Sequence, residues 1–321
     1  AMRTTASKRE RADQKIRQEG IAKQRGNPLP KPAWLRRRAV GSSPESLRIG
    51  GIISEYKLQT ICHQAFCPNR GDCMADGTAA FLIVGSVCTR RCAFCDVAHG
   101  TPEPLDTEEP RRLAQAVAAA GLSYAVVTSV DRDDLKDGGA GHFSACVKEI
   151  RKASPEAKVE ILVPDFRGRD ELALGILSQE PADVFNHNIE TVPRLYKTAR
   201  RGGDYQHALR LLRRYKELAP SAKVKSGLML GLGETDEEVE RTLLDLRGHG
   251  VDIVTVGQYL PPSPGHLRVE RYVSPEDFGR WKEKALEMGF SSAFCGVFVR
   301  SSYHAQQAWA SASKEGGGAV T

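Results

Sequence analysis

Hydrophobic and polar positions follow a regular order along most of the chain. From residue 79 onward, short apolar or β-branched runs alternate with longer helical stretches. This order is typical of parallel strands joined by crossover helices, so it predicts an α/β fold. Six strands are predicted, at Ala80 to Gly85, Tyr124 to Ser129, Lys158 to Val163, Asp183 to Asn188, Val224 to Gly231 and Val251 to Leu260. No Gly-x-Gly-x-x-Gly turn follows the first strand, which favours a barrel or partial barrel over a dinucleotide-binding sheet.

The ends of two helices can be read from their residues. Thr107 is followed by two acids and Pro110, a pattern that begins helices, and Gly121 after the alanine run is expected to end that helix. Thr235 with Glu238 three residues later predicts a capping box at the start of another helix.

Composition excludes several classes of protein. The chain has 321 residues, of which 40% are hydrophobic, and it contains only 8 Cys. This cysteine content is too low for a small secreted scaffold built on disulfides. The longest mainly apolar run, from Ala79 to Val87, is too short to span a bilayer. A soluble globular protein with one good-sized core or two small ones is therefore expected.

Positive charge is concentrated at the N-terminus. Residues 1 to 40 contain 12 Lys or Arg and 3 Asp or Glu, while the whole chain has a formal net charge of only +6. Such a basic arm can steer nucleic acid, anionic lipid or an acidic protein, or it can be a solvated tail. It has no apolar core of a secretory signal, and acids interrupt a mitochondrial-type positive face. We expect a cytoplasmic protein, with the mitochondrial or plastid matrix as the alternative.

Six of the eight cysteines lie within 34 residues, in two triplets. Cys62, Cys67 and Cys73 have the spacing C-x4-C-x5-C, and Cys88, Cys92 and Cys95 have the spacing C-x3-C-x2-C. Disulfides would require an oxidising compartment and would leave an odd thiol in each triplet. Structural zinc usually takes four ligands, so each triplet is one short. A cubane iron–sulfur cluster held by three thiolates fits the count, and its fourth iron is then free to bind something else.

The second triplet follows the first predicted strand and so lies at the end of the barrel where such folds place their chemistry. Its segment, CTRRCAFC, resembles the signature of radical S-adenosylmethionine (SAM) enzymes, in which an aromatic residue, here Phe94, often precedes the last cysteine. The resemblance implies a partial (β/α)6 TIM-type barrel. It also implies that Cys88, Cys92 and Cys95 ligate a 4Fe-4S cluster and that SAM chelates the fourth iron.

The first triplet indicates which family of radical SAM enzymes the chain resembles. The segment ICHQAFCPNRGDC followed by GTAAFLIVG is similar to the lipoyl synthases, in which this triplet binds an auxiliary 4Fe-4S cluster. Similar agreement covers about residues 31 to 305. It includes KPAWLR, TSVDRDDLKDGGAGHF, NHNIETVPRLY, KSGLMLGLGET, GQYLPPSPGHLRVERYV and VRSSYHA.

This resemblance implies an activity. Lipoyl synthases insert two sulfur atoms at C6 and C8 of an octanoyl chain on a carrier protein. These carbons have no acidifying neighbour, so a positioned base cannot remove their protons at a useful rate. In the family, SAM cleavage yields a 5′-deoxyadenosyl radical that abstracts hydrogen, and the auxiliary cluster is consumed as the sulfur donor.

The resemblance also assigns residues and partners. Ser302 of the RSSY motif is implied as the fourth ligand of the auxiliary cluster, although an isolated motif of this kind is usually an exposed turn. Asn188 and Glu190, which follow the fourth strand, and Phe94 are candidate SAM contacts. Arg90 and Arg300 lie beside cluster ligands in sequence and either offset cluster charge or are ordinary surface arginines.

Three kinds of protein partner are expected. They are octanoylated lipoyl carriers (2-oxoacid dehydrogenase acyltransferase subunits and the glycine-cleavage carrier protein), a low-potential electron donor such as ferredoxin or flavodoxin, and a cluster-assembly or carrier protein. Neither nucleic acid nor a membrane is an expected partner.

Three regions are predicted along the chain. Residues 1–78 form the basic arm and an extension for the auxiliary cluster, 79–290 the radical SAM barrel, and 291–321 a C-terminal segment with the RSSY motif and a frayed tail. Two other functions compete with this prediction. A methylthiotransferase acting on tRNA would usually bring an RNA-binding β-barrel domain, which these 321 residues lack. A ferredoxin-like carrier would supply four cysteines for each cluster.

Overall fold

A computed structural model describes residues 29–36, 43–64, 67 and 69–314. The predicted basic arm falls largely outside these residues, as does the predicted frayed tail from Glu315. The main sheet has eight strands in the order β1-β2-β5-β6-β7-β8-β9-β10, and β3 and β4 form a separate pair. The strands are β1 (Gln59–Thr60), β2 (Thr78–Ile83), β3 (Val87–Cys88), β4 (Ala98–His99), β5 (Tyr124–Ser129), β6 (Lys158–Leu162), β7 (Val184–Asn186), β8 (Lys223–Leu230), β9 (Ile253–Gln258) and β10 (Ser292–Gly296).

All neighbouring strands from β2 to β10 in the main sheet run parallel, and only β1 is antiparallel to its neighbour. The six predicted strands are confirmed as β2, β5, β6, β7, β8 and β9. The sheet contains two strands beyond these six. β10 extends it as a seventh parallel strand, with Ser292 opposite Ile253, and β1 adds a short antiparallel strand at the other edge. The architecture is the expected partial barrel.

Helices connect the strands and cover the outside of the sheet. They are α1 (Pro44–Glu55), α2 (Ile61–Gln64), α3 (Arg70–Ala75), α4 (Glu109–Ala120), α5 (Ala140–Ala153), α6 (Asp170–Leu177), α7 (Tyr196–Ala199), α8 (Tyr205–Leu218), α9 (Asp236–Gly248), α10 (Pro275–Glu287) and α11 (Ala305–Lys314). Short 3₁₀ turns cover Ala33–Leu35 and Pro193–Leu195. Among the described residues, the helices are too short or too polar to cross a membrane.

The predicted helix ends are largely confirmed. Gly121 adopts the left-handed conformation, with φ of 63°, and closes α4, where a side chain would be strained. Thr235 and Glu238 form the predicted capping box of α9. The start of α4 differs, because the helix begins at Glu109 rather than directly after Thr107.

The core extends through the barrel and the N-terminal extension without a break. All six residues of β2 are buried, as expected for a parallel strand that is covered on both faces. Ile49 and Ile53 of α1 pack in the same core. Arg48 of α1 donates a hydrogen bond to the carbonyl of Ala120, with a distance of 2.8 Å between Nη2 and the oxygen. The extension is therefore held against the barrel by burial and by backbone contacts, while the predicted division at residue 78 stays a prediction.

Candidate active site

A cavity of about 220 Å³ lies at the carboxyl ends of the parallel strands. The second cysteine triplet contributes to its wall, as the order of elements predicted. The other lining residues follow successive strands of the barrel: Thr128 to Asp131 after β5, Leu162 to Pro164 after β6, and His187, Asn188 and Glu190 after β7. Parallel strands bring these segments together because all their carboxyl ends meet at one edge.

The loop that carries the triplet begins at a strained residue. Val84, directly after β2, has a φ of 60°, a conformation that β-branched residues rarely adopt. Its N–H donates to the Glu109 carboxylate at 2.9 Å, and its carbonyl accepts from Arg132 Nη1 at 2.8 Å. These two side chains offset a strain of about 1–3 kcal/mol and turn the chain from the strand into the cysteine loop.

Backbone hydrogen bonds fix the loop around the three thiols. The N–H of Ala93 donates to the carbonyl of Ala199 at 3.0 Å, and the N–H of Leu267 donates to the carbonyl of Ala93 at 3.3 Å. The Cys88 sulfur accepts N–H groups from Arg90 at 3.4 Å and from Asp131 at 3.3 Å. N–H donors of this kind stabilise a thiolate and tune a cluster bound to it.

The electrostatics of this triplet suit a cationic occupant. Burial, and then the negative charge of Asp131, raise the pKa of the Cys88 thiol to about 12. Burial and the charge of Cys95 raise the pKa of Cys92 well above its usual value. The three thiols therefore lie near one another, and Cys88 and Cys92 require nearby positive charge to remain thiolates. Iron of a cluster supplies that charge.

Two arginines differ in their relation to this triplet. The charge of Arg90 is largely neutralised by two carboxylates. Its Nε lies 2.8 Å from Asp133 Oδ2, and its Nη1 lies 2.6 Å from Asp165 Oδ1. Arg200, which the sequence analysis missed, lies on the cavity wall, and its charge lowers the pKa of Cys92. The chain segment TARRGG around it carries no signal that distinguishes it from a surface residue.

The three candidate SAM contacts, Phe94, Asn188 and Glu190, all line the cavity. Glu190 adopts a left-handed conformation, with φ of 68°, and burial raises its pKa. Its N–H donates to the carbonyl of Gly227 at 2.9 Å, which holds the residue at the mouth of the barrel. Their position is suited to a ligand beside the second triplet, and their role as SAM contacts stays a prediction.

The first triplet lies at another place, against strands β2 and β5. Cys62 is buried in a cluster with Ala80, Tyr124 and Ala305. Burial and the charge of Cys67 raise the pKa of Cys62 to about 12. Burial, and then the charges of Cys62 and Cys67, raise the pKa of Cys73 to about 12. The three thiols of the first triplet are therefore also neighbours.

The C-terminal segment meets the first triplet. Asn69 Nδ2 donates to the carbonyl of Phe298 at 2.6 Å, and the backbone of His304 hydrogen-bonds the Cys73 thiol. Arg300 is close enough for its charge and that of Cys67 to interact. Ser302 lies between these anchors and is half-buried. The structure thus brings the RSSY segment beside the first triplet, across more than 220 residues of intervening chain.

Both triplets were tested as holders of iron–sulfur clusters. In the described ranges, with gaps at 37–42, 65–66 and 68, no three His, Cys, Asp or Glu side chains are grouped to hold one metal ion. A cubane requires less convergence, because each cysteine binds a different iron atom. Three neighbouring soft thiols in each place match the donor set of such a cluster, and burial raises the pKa of Cys62 and Cys73 in one triplet and of Cys88 and Cys92 in the other.

Comparisons with known proteins give a consistent result. The family model of the radical SAM superfamily matches residues 82–246. The lipoyl synthase of Thioalkalivibrio sulfidiphilus is 59% identical over 280 residues, which cover 87% of each chain. That of Acidovorax ebreus is 53% identical over 299 residues, covering 93% of this chain and 92% of its own.

Solved structures show the same fold at low identity. A methylornithine synthase superimposes with a TM-score of 0.51 and 16% identity, over 66% of this chain and 70% of its own. The Streptococcus suis protein SuiB, bound to S-adenosylmethionine, gives a TM-score of 0.51 and 12% identity, over 71% of this chain and 54% of its own.

Proposed function

The chain belongs to the lipoyl synthase family of the radical SAM superfamily, and we propose that its two cysteine triplets divide the reaction between two 4Fe-4S clusters. The enzyme inserts sulfur atoms at C6 and C8 of an octanoyl chain carried on a protein. The observation that supports the division is spatial. One triplet lines the cavity at the mouth of the barrel, while the other lies against β2 and β5 beside the C-terminal segment.

The substrate cannot be activated by acid–base catalysis with protein side chains alone. Carbons within an alkyl chain cannot be deprotonated by a side chain, so acid–base catalysis alone cannot start the reaction. When bound, one cluster supplies the electron that cleaves SAM and the other supplies the sulfur. The protein residues then hold these groups, set their charge and bring the substrate between them.

At the cavity, Cys88, Cys92 and Cys95 would hold the cluster that cleaves SAM. Arg200 donates to the carbonyl of Asn188 on the cavity wall at 2.8 Å, and its positive charge partly offsets the rise in the pKa of Cys92, so it favours an anionic group there. Glu190 and Asn188 on the same wall provide a carboxylate and an amide for a polar ligand. Their place in the same cavity as the cysteine loop supports a role in orienting SAM.

At the second site, Cys62, Cys67 and Cys73 would hold the auxiliary cluster, and Ser302 would supply its fourth ligand. A serine oxygen is a harder ligand than thiolate and is less well matched to cluster iron. Ser302 would therefore be the weakest of the four ligands, which suits a cluster that supplies sulfur. The anchoring of the RSSY segment on both sides of Ser302 supports this assignment.

The substrate is an octanoylated carrier protein, as the family's activity implies. We extend the proposal to 2-oxoacid dehydrogenase acyltransferase subunits and the glycine-cleavage carrier protein as carriers, and to ferredoxin or flavodoxin as reductant. A cluster-assembly protein would restore the spent auxiliary cluster. We also propose that the protein works in a reducing compartment such as the cytoplasm, since cluster ligation requires the cysteines of both triplets as thiolates rather than disulfides.

Anaerobic reconstitution tests the two-cluster assignment directly. We expect about eight iron and about eight sulfide per chain, since each cubane contributes four of each. The matched control is Cys146→Ala, because Cys146 lies buried in α5, away from both triplets, and its loss should leave the iron count unchanged. A count of about four iron, or zinc in place of iron, would show that one triplet has another role.

Ser302→Cys tests whether the oxygen ligand is functional. We expect the variant to retain both clusters but to form lipoyl product roughly tenfold more slowly, which corresponds to about 1.4 kcal/mol in the barrier. The reason is that a thiolate would hold its iron more tightly than a hydroxyl-derived ligand. Mass spectrometry of an octanoylated carrier peptide measures the product. Ser313→Cys, an exposed serine on α11, controls for the added thiol, and product formation at the wild-type rate by Ser302→Cys would contradict the argument.

A further inference from the structure

The C-terminal segment makes unusually close contact with the barrel strands. A Cβ atom added at Gly257 of β9 would lie 2.1 Å from the carbonyl oxygen of Val299. No side chain fits into that space, so a glycine is required for the segment to reach its place. Phe298 and His304 are anchored to the first-triplet region, as described above. The segment from 298 to 304 therefore lies between the mouth of the barrel and the auxiliary site.

Ser301, the first serine of the RSSY motif, is held by two asparagines of the barrel. Asn186 Nδ2 donates to Ser301 Oγ at 2.8 Å, and Ser301 Oγ donates to Asn188 Oδ1 at 2.9 Å. The hydroxyl is thus used both as acceptor and as donor. This occupies the functional group of Ser301 and leaves the neighbouring Ser302 as the serine available to iron.

A buried ion pair fixes the direction of these hydrogen bonds. Asn186 Nδ2 also donates to Glu160 Oε1 at 2.8 Å, and Glu160 is paired with Lys225 Nζ at 2.9 Å. Glu160, Asn186 and Lys225 have no exposed surface. Because an ionised carboxylate only accepts hydrogen bonds, the amide nitrogen of Asn186 must face Glu160, and its second hydrogen then points to Ser301. The interior of the barrel therefore determines how Ser301 is bound.

The other end of this chain of hydrogen bonds reaches the cavity. Asn188, which accepts from Ser301, lines the cavity and hydrogen-bonds the Glu190 carboxylate through its side chain. Hydrogen bonds therefore run without a break from Asn186 through Ser301 and Asn188 to Glu190. The carboxylates of Glu160 and Glu190 lie at the two ends. Ser301 is the residue through which the C-terminal segment joins this network.

We propose that Ser301 is a positioning residue, which locks the C-terminal segment into the socket formed by Gly257, Asn186 and Asn188 and so directs Ser302 to the first triplet. The proposal deepens the proposed function and rests on the assignment of Ser302 to the auxiliary cluster. Ser301 contacts neither cluster in this arrangement. It acts through the placement of the residue that follows it, and the two serines of the motif have separate tasks.

Ser301→Ala tests this role in the full-length reconstituted protein. Removal of two hydrogen bonds should speed hydrogen–deuterium exchange in the peptide covering residues 297–304 by about tenfold. Iron and sulfide counts and the electron paramagnetic resonance spectrum should show an altered auxiliary cluster. SAM cleavage, followed as 5′-deoxyadenosine, should continue because the cysteine ligands of the other cluster are untouched, and the loss of the hydrogen bond to Asn188 should change the KM for SAM rather than abolish cleavage.

Three further variants make the test specific. Ser301→Thr retains the hydroxyl and should restore slow exchange and the normal auxiliary spectrum. Gly257→Ala should reproduce the effects of Ser301→Ala from the opposite side of the segment, because its Cβ displaces Val299. Ser313→Ala removes an exposed hydroxyl that bonds only the carbonyl of Trp309 at 2.9 Å, and it should change nothing.

The outcomes separate this proposal from the proposed function. A wild-type protein without a second cluster would contradict the proposed function, whatever Ser301→Ala does to exchange. With both clusters present in the wild type, unchanged exchange and an unchanged auxiliary spectrum in Ser301→Ala would overturn the positioning role. Loss of the auxiliary cluster with unchanged exchange would also overturn it, because Ser301 would then be a ligand itself.

Discussion

Replacing Cys92 by alanine is expected to abolish SAM cleavage while leaving the fold and the auxiliary cluster in place. Cys92 lies in the cavity wall between the other two cysteines of its triplet, and its thiol pKa is raised by burial and by the charge of Cys95. A cluster held by only two thiolates would be poorly retained. The iron count should fall from about eight to about four per chain. Without SAM cleavage, neither carbon of the octanoyl chain can react.

The measurement is the formation of 5′-deoxyadenosine from SAM under reducing, anaerobic conditions, followed by liquid chromatography. Cys146→Ala is the matched control, because it also removes one buried cysteine and should cleave SAM normally. Thermal unfolding of both variants shows whether the barrel is intact. Deoxyadenosine formed by Cys92→Ala at the wild-type rate would rule out the assignment of the second triplet.

Replacing Cys67 by alanine is expected to retain SAM cleavage but to abolish the formation of lipoyl product. Cys67 belongs to the triplet beside the C-terminal segment, where its charge and that of Arg300 interact. The variant should retain the cluster in the cavity and still cleave SAM, but it should form no lipoyl product because the sulfur donor is missing. Iron should again fall to about four per chain, now from the other site.

Two assays on the same sample, one for lipoyl product and one for 5′-deoxyadenosine, test this prediction. The octanoylated carrier peptide is analysed for added sulfur by mass spectrometry, and deoxyadenosine is measured in parallel. A variant that loses both activities would show that the first triplet supports the barrel rather than a separate donor. A variant that still forms lipoyl product would show that the sulfur comes from elsewhere. The pair Cys92→Ala and Cys67→Ala therefore assigns the two triplets independently.

Local sequence signals predicted the main strands and several helix ends correctly. Most residues of the predicted strands are buried in the structure, as all six residues of β2 show. The capping box of α9 and the left-handed Gly121 after α4 depend on short-range hydrogen bonds and backbone sterics, so a few residues were enough to predict them. The short strands β1 and β10 were absent from the six predicted, since two to five residues give little periodic signal.

The polar interior of the barrel was not predictable in the same way. Glu160 and Lys225 lie 65 positions apart, inside β6 and β8, which are not consecutive strands, and neither residue alone carries a sequence signal that names its partner. Arg200 likewise follows a short helix and has no motif of its own. Such charges are stable inside the protein only because the fold brings a partner within hydrogen-bond distance.

By itself, the sequence determined the ligand inventory: two groups of three cysteines, each at a spacing that a short loop can close around a cluster, and a barrel to carry them. Only the tertiary structure decided where the C-terminal segment lies relative to the first triplet. The segment lies beside Cys73, where the backbone of His304 hydrogen-bonds the thiol, because a glycine in β9 admits the backbone of Val299 and because Asn186 and Asn188 bind Ser301. Contacts between segments more than a hundred residues apart depend on the packing of the whole barrel, and no local pattern of residues encodes them.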